Sequence, residues 1–150
     1  MGFYGSSRSK ISNCLFAENS AELVGGGGIE CSSTAAPLIL HCTFSANAAP
    51  AGGALYCKDR TRPRLENTII AFGTTGEAVA CVGQSQATLH CCNLFGNAGG
   101  DWIGALSGQD SAAGNVSLDP LFEDPREGNY RLQSGSPLRK LADCDPLGIR

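Results

Sequence analysis

Gly26-Gly27-Gly28-Ile29-Glu30-Cys31 returns as Gly52-Gly53-Ala54-Leu55-Tyr56-Cys57, and more faintly as Glu77-Ala78-Val79-Ala80-Cys81. Between these copies runs a second motif, Ile11-Ser12-Asn13-Cys14-Leu15-Phe16. It recurs as Ile39-Leu40-His41-Cys42-Thr43-Phe44, fades into Leu65-Glu66-Asn67-Thr68-Ile69-Ile70, and returns as Leu89-His90-Cys91-Cys92-Asn93-Leu94. The steps are 28, 26 and 24 residues from Cys14 to Cys42 to Thr68 to Cys92, and 26 and 24 from Cys31 to Cys57 to Cys81. Two registers that drift together describe one repeating structural unit, and a period in this range is that of a solenoid.

Each unit breaks into three pieces too short for helices. In the second unit they are Gly28 to Cys31, Leu38 to Leu40 and Cys42 to Phe44. Period-two alternation turns Ile29 and Cys31 inward and Glu30 outward. Keeping both Ile39 and Cys42 inside requires a break of phase at His41, whose equivalents are Asn13, Asn67 and Cys91. Asn tolerates the left-handed backbone that such a bend needs. Three short strands and a fixed bend make one coil of a single-stranded, right-handed parallel β-helix, an all-β fold of about four to five coils.

Stacking the coils predicts four apolar ladders. They are Ile29, Leu55, Val79 and Ile103; Cys31, Cys57, Cys81 and Ala105; Ile11, Ile39, Leu65 and Leu89; and Phe16, Phe44, Ile70 and Leu94. The glycine pairs fall where the chain turns into the next coil, where positive φ costs glycine little. Asn19, Asn47 and Asn97, with Gly73 substituting once, read as stacked turn caps.

The regular coils span 10–105, after an incomplete lead-in at 1–9. Residues 106–150 read as a terminal coil and cap within the same single domain. There Tyr130 and Leu132 suit one more strand, while Pro120, Pro125 and Pro137 stop further pairing. Trp102 reads as a lid over the last coil. Met1 to Lys10 has no capping pattern, so the open first coil implies a C-terminal piece of a longer β-helix, with upstream coils as its partner.

Eight cysteines in a small chain raise disulfides and zinc. No Cys-x-x-Cys pair occurs, and six of the eight occupy two repeating positions, as stacked interior residues do. Two readings stay open: a mostly unbridged ladder, or a ladder carrying some disulfides. No metal and no cofactor are expected. The net charge of −3 provides no basic footprint for nucleic acid. No apolar run is long enough to span a bilayer. Asn115-Val116-Ser117 matches a glycosylation sequon.

Phe16-Ala17-Glu18-Asn19 and Phe44-Ser45-Ala46-Asn47 share the pattern Phe-x-x-Asn, and each is followed by a Gly-Gly copy. This pairing resembles the repeat of polymorphic outer membrane proteins, within the pectin-lyase-like right-handed β-helix superfamily. The resemblance covers roughly residues 10–105. It implies a bacterial surface or secreted protein with a structural or adhesive role, and a polysaccharide or host cell-surface ligand. It carries no catalytic residue across.

Enzymes of that superfamily cleave acidic polysaccharides with outward residues of the first strand and the loop after it. A lyase needs clustered carboxylates for calcium and a Lys or Arg base, and a glycosidase needs two facing carboxylates. The outward column here is Glu30, Tyr56 and Ala80, followed by Ser32, Lys58 and Val82. Glu30 is the one acid on that strand face, and Asp59 lies in the adjoining loop. The charged run Lys58, Asp59, Arg60, Arg62, Arg64 and Glu66 instead suits an acidic glycan, with Tyr56 as a stacking ring. Glu30, Tyr56, Lys58, Asp59, Arg60 and Arg62 are therefore the candidate binding face. A polysaccharide lyase or glycoside hydrolase is the alternative reading.

Overall fold

The computed structural model describes residues 1–149. Four coils stack in parallel. The first holds β1 (Gly2–Phe3), β2 (Lys10–Ser12) and β3 (Leu15–Ala17); the second, β4 (Ile29–Cys31), β5 (Leu38–Leu40) and β6 (Thr43–Ser45). The third holds β7 (Leu55–Cys57), β8 (Arg64–Glu66) and β9 (Ile69–Ala71); the fourth, β10 (Val79–Cys81), β11 (Thr88–His90) and β12 (Asn93–Phe95). First strands form one parallel sheet, β1-β4-β7-β10, and the second and third strands form two more. The sequence register holds along the coils: Ile29 pairs with Leu55 and Leu55 with Val79, Ile39 with Leu65, and Phe44 with Ile70. These side chains, with Cys31, Cys57 and Leu94, form one buried core, and the Phe16 and Phe44 rings stack with centroids 4.7 Å apart.

The bends fall where the phase break put them. Asn13, His41, Asn67 and Cys91 all have φ between 48 and 52°. The next residue has the same job in every coil. The Cys14, Cys42 and Cys92 thiols donate to the carbonyls of Ser12, Leu40 and His90 at 3.3–3.4 Å, and the Thr68 hydroxyl donates to that of Glu66 at 2.9 Å. A small donor at this position gives a second partner to a carbonyl that, from the second coil on, already accepts a backbone N–H from the coil before. Thr68 is therefore a conservative replacement for cysteine rather than a fading of the repeat.

The Asn column is also hydrogen-bonded between coils. Asn47 Oδ1 accepts from the Asn19 backbone N–H, and Asn47 Nδ2 donates to the Phe16 carbonyl; Asn97 repeats this pattern toward Gly73 and Ile70. The glycine pairs act differently from expectation. Gly52 has φ +65°, but Gly26, Gly27 and Gly53 do not have positive φ. A Cβ on Gly27 would instead run into the backbone oxygens of Gly53 and of Ala48, the latter at 2.7 Å. Its role is close coil-to-coil approach.

Two rungs depart from the predicted ladders. Ile103 is half exposed and Ala105 faces solvent, because Gly104–Leu106 forms a 3-10 turn that ends the first-strand column. Leu106 fills the core end in their place, and Trp102 packs partly over it with its indole N–H donating to Ser117 Oγ at 2.6 Å. The remaining edge is closed by side chains. Gln109 Oε1 accepts from Leu89 N–H, Gln109 Nε2 donates to the Ala87 carbonyl, and Asn115 bridges Cys92 N–H and the Leu89 carbonyl. Asn115 is buried in this work, so the sequon is a structural cap.

The extra strand at Tyr130 and Leu132 forms, but it adds no fifth coil. Phe122–Asp124 (β13) and Asn129–Leu132 (β14) make an antiparallel hairpin. The hairpin and the tail after it lie along the outer face of the third-strand sheet, where Phe122, Tyr130, Leu138 and Leu147 pack on Ile69 and Ala71. A disulfide joins Cys91 in the fourth coil to Cys144 in the tail, and the other six cysteines are free. Of the two open readings, the structure has a largely unbridged ladder with one bridge outside it.

Burial pushes the Cys92 thiol up from the ordinary 9.0 to about 12. Below pH 9 this thiol is protonated in both folded and unfolded chains, so its contribution to stability is fully present. Between pH 9 and about 12 only the unfolded chain ionises, so stability falls by up to about 1.4 kcal/mol per pH unit for this thiol. Cys42 shifts the same way through burial. Urea melts across that window should show the loss, with a shallower slope for Cys92→Ala; equal slopes would contradict it.

Candidate functional site

The turn between β7 and β8, in the third coil, places the candidate residues. Asp59 and Arg60 occupy the left-handed region, with φ of 60 and 67°, at the same turn position as Ser33 and Thr34 one coil before. The turn is held by backbone bonds to both neighbouring coils, Arg62 N–H to the Ala35 carbonyl and Arg60 N–H to the Gly83 carbonyl. Asp59, Arg60 and Arg62 are exposed on it.

The other three candidates do not join them as one face. Lys58 Nζ lies 2.7 Å from Glu30 Oε1, bridging adjacent coils. That carboxylate raises the Lys58 ammonium above its usual range and is itself taken up by the pair. Tyr56 is buried, so its ring offers no stacking platform. Glu30 is the carboxylate of that strand face and sits between Phe3's neighbour Gly2 and Tyr56 in register, with no second acid opposite it. The Arg64–Glu66 pair, at 2.6 Å, lies on the outer face of β8.

What remains is a basic corner larger than the predicted run. Arg8 and Lys10 occupy the same turn and strand positions two coils before Arg62 and Arg64, and all four are exposed. Lys10 pairs with Leu38 and Leu38 with Arg64, so the two cations share one column about 10 Å apart. Every Lys and Arg before Pro125 lies either on the turn joining the first and second sheets or on the outer face of the second sheet. Acids Glu18, Glu22, Glu77 and Asp101 lie on the turn joining the third sheet back to the first. Glu30, Asp59 and Glu66 share the basic side, the first and last paired with Lys58 and Arg64, so within the coils its cations outnumber its acids six to three. Sequence reasoning missed Arg8 and Lys10 because they precede the first clear copy of the repeat; counting two repeats back from Arg62 and Arg64 finds them.

Elsewhere, a shallow cleft of about 400 Å³ lies beside the disulfide, lined by Glu66, His90, Asp143 and Asp145 among others. His41 is buried nearby, with Nδ1 3.2 Å from the Pro146 carbonyl. Among the described residues no group of three or more His, Cys, Asp or Glu side chains is arranged to hold a metal ion, and no helix is long and apolar enough to cross a membrane.

A family model described as a right-handed beta helix region matches residues 1–116. The chain belongs to the right-handed β-helix family. The match ends just after the coils, at the strand bridge between Val116 and Asn93 that closes the fourth turn. The hairpin and strap lie beyond the matched residues. No curated protein and no solved structure matches the chain.

Proposed function

We propose that this β-helix is a secreted or cell-surface adhesive scaffold whose basic corner binds an anionic polysaccharide. The observation that carries the reading is the segregation of Arg8, Lys10, Arg60, Arg62 and Arg64 onto one exposed edge of a molecule whose net charge is −3. Cations on the first and third coils, about 10 Å apart along the coil axis, suit a linear polyanion, since a rigid scaffold presents both without ordering a loop. The Phe-x-x-Asn and Gly-Gly pattern supports a relation to polymorphic outer membrane protein repeats within the pectin-lyase-like superfamily. The Cys91–Cys144 bridge supports an oxidising, extracytoplasmic location. Binding is favoured over cleavage because the outer face of the first sheet has its one carboxylate engaged by Lys58.

Chromatography on polygalacturonate and on neutral dextran, developed with a salt gradient, tests this. Retention on the anionic matrix alone is expected, lost as salt screens exposed charges. Arg60→Ala with Arg62→Ala should weaken binding by about three- to tenfold, the scale of two exposed ion pairs. Equal retention on both matrices, or an unchanged double variant, would refute the corner as the site.

A further inference from the structure

The basic corner is not uniform along the coil axis. Ala36 N–H donates to the Ser7 carbonyl, Arg62 N–H to that of Ala35 and Gln86 N–H to that of Thr61, which sets Arg8, Ala36, Arg62 and Gln86 in one column. Beside it, Lys10 pairs with Leu38, Leu38 with Arg64 and Arg64 with Thr88. Both columns alternate, with cations on the first and third coils and uncharged side chains on the second and fourth. The rung between the cations is also apolar: Ala36, Leu38 and Leu40 are half-buried there. Among the described residues Arg8, Lys10 and Arg62 form no ion pair, while Arg64 is held by Glu66. The face is lateral, so coils stacked on either end would lengthen the solenoid without covering it.

We infer that this corner selects a polysaccharide in which acidic sugars alternate with uncharged, N-acetylated ones. The inference rests on the polyanion-binding role proposed above and names the class of polymer. In an extended chain of diequatorially linked hexoses, one residue advances by close to one coil rise of about 4.8 Å. Acids on every second sugar then fall about 10 Å apart, the separation of the first and third coils. One carboxylate meets Arg8 and Lys10. The next meets Arg62, whose guanidinium can donate two parallel N–H bonds to it. The uncharged sugar between them lays its C–H face and acetyl methyl on Ala36 and Leu38. A polymer acidic at every sugar would instead hold a carboxylate against that rung, where it loses water with no cation opposite it.

Titration calorimetry with hyaluronan oligosaccharides and with oligogalacturonate of equal length tests this, because the second is acidic at every sugar and the first at every other one. Charge alone would favour the oligogalacturonate. The alternating oligomer is expected to bind tighter by at least about threefold. Leu38→Lys fills the missing rung with a cation whose stem can lie along the outer face. It should raise the affinity for oligogalacturonate by about two- to fivefold, the scale of one exposed ion pair, and so narrow or reverse the preference. Circular dichroism melts check its folding, and Ala36→Lys serves the same end should Leu38→Lys not fold. Oligogalacturonate bound as tightly as the alternating oligomer, or more tightly, overturns the inference and leaves the polyanion reading standing. A folded lysine variant with an unchanged preference does the same. Binding of neither oligomer overturns both.

Discussion

Cys57→Asp is expected to cost at least about 4 kcal/mol, and so to remove most of the stability of a small domain. Cys57 has no exposed surface and lies in register between Cys31 and Cys81. The two neighbouring thiols, then burial, push its own thiol far upward, so the site holds a neutral group only. A carboxylate there faces sulfur above and below and has no cation in reach. Cys57→Ala leaves a small cavity instead and should cost about 1–2 kcal/mol. Urea denaturation of both variants measures the contrast. If the aspartate variant were as stable as the alanine one, the cysteine column would not be interior.

Cys144→Ser should cost about 2–4 kcal/mol, the second large effect. The bridge to Cys91 closes a separation of 53 residues, and a cross-link of that span limits the unfolded chain substantially. It also fastens the tail over Ile69 and Ala71, so its loss should expose the apolar face of the hairpin to a fluorescent hydrophobic probe. Thiol titration of the wild-type chain in denaturant without reductant should count six, since eight cysteines include one bridge. A count of eight, or an unchanged melting midpoint in the serine variant, would rule out the tether.

The coils were legible because a solenoid repeats its physics. Ile29, Leu55 and Val79 announce one column, and the phase break at Asn13, His41, Asn67 and Cys91 locates a bend that three different residue types share. Reading Thr68 needed a hydrogen bond rather than hydropathy, since the position selects a donor and only incidentally an apolar one. The ladders overran to Ile103 and Ala105 because spacing alone cannot show that Gly104 begins a tighter turn. The tail was opaque for another reason. Phe122, Tyr130, Leu138 and Leu147 have no periodicity of their own; they are apolar where they meet the outer face of β9, a contact between segments far apart in sequence.

The candidate site was legible in part. Arg60 and Arg62 lie exposed as expected, but the outward position of Tyr56 did not make it accessible. Alternation fixes which way a side chain leaves the coil, and Tyr56 is buried although it leaves it outward. Whether a strand face is bare depends on loop length and path, which alternation does not encode.

The tail touches every coil it runs beside. Tyr130 Oη–H donates to Glu18 in the first, His41 and Thr43 in the second meet Pro146 and Ile149, Gly148 N–H donates to the Asn67 carbonyl in the third, and Cys144 bonds Cys91 in the fourth. A bare solenoid couples only adjacent units, so its ends fray and its turns melt one after another. This strap ties first to last, and the four turns should melt together in one calorimetric transition. The same wiring sets the order of assembly. Its docking surface exists only once the turns beneath it are stacked, so strap closure is expected to follow their stacking.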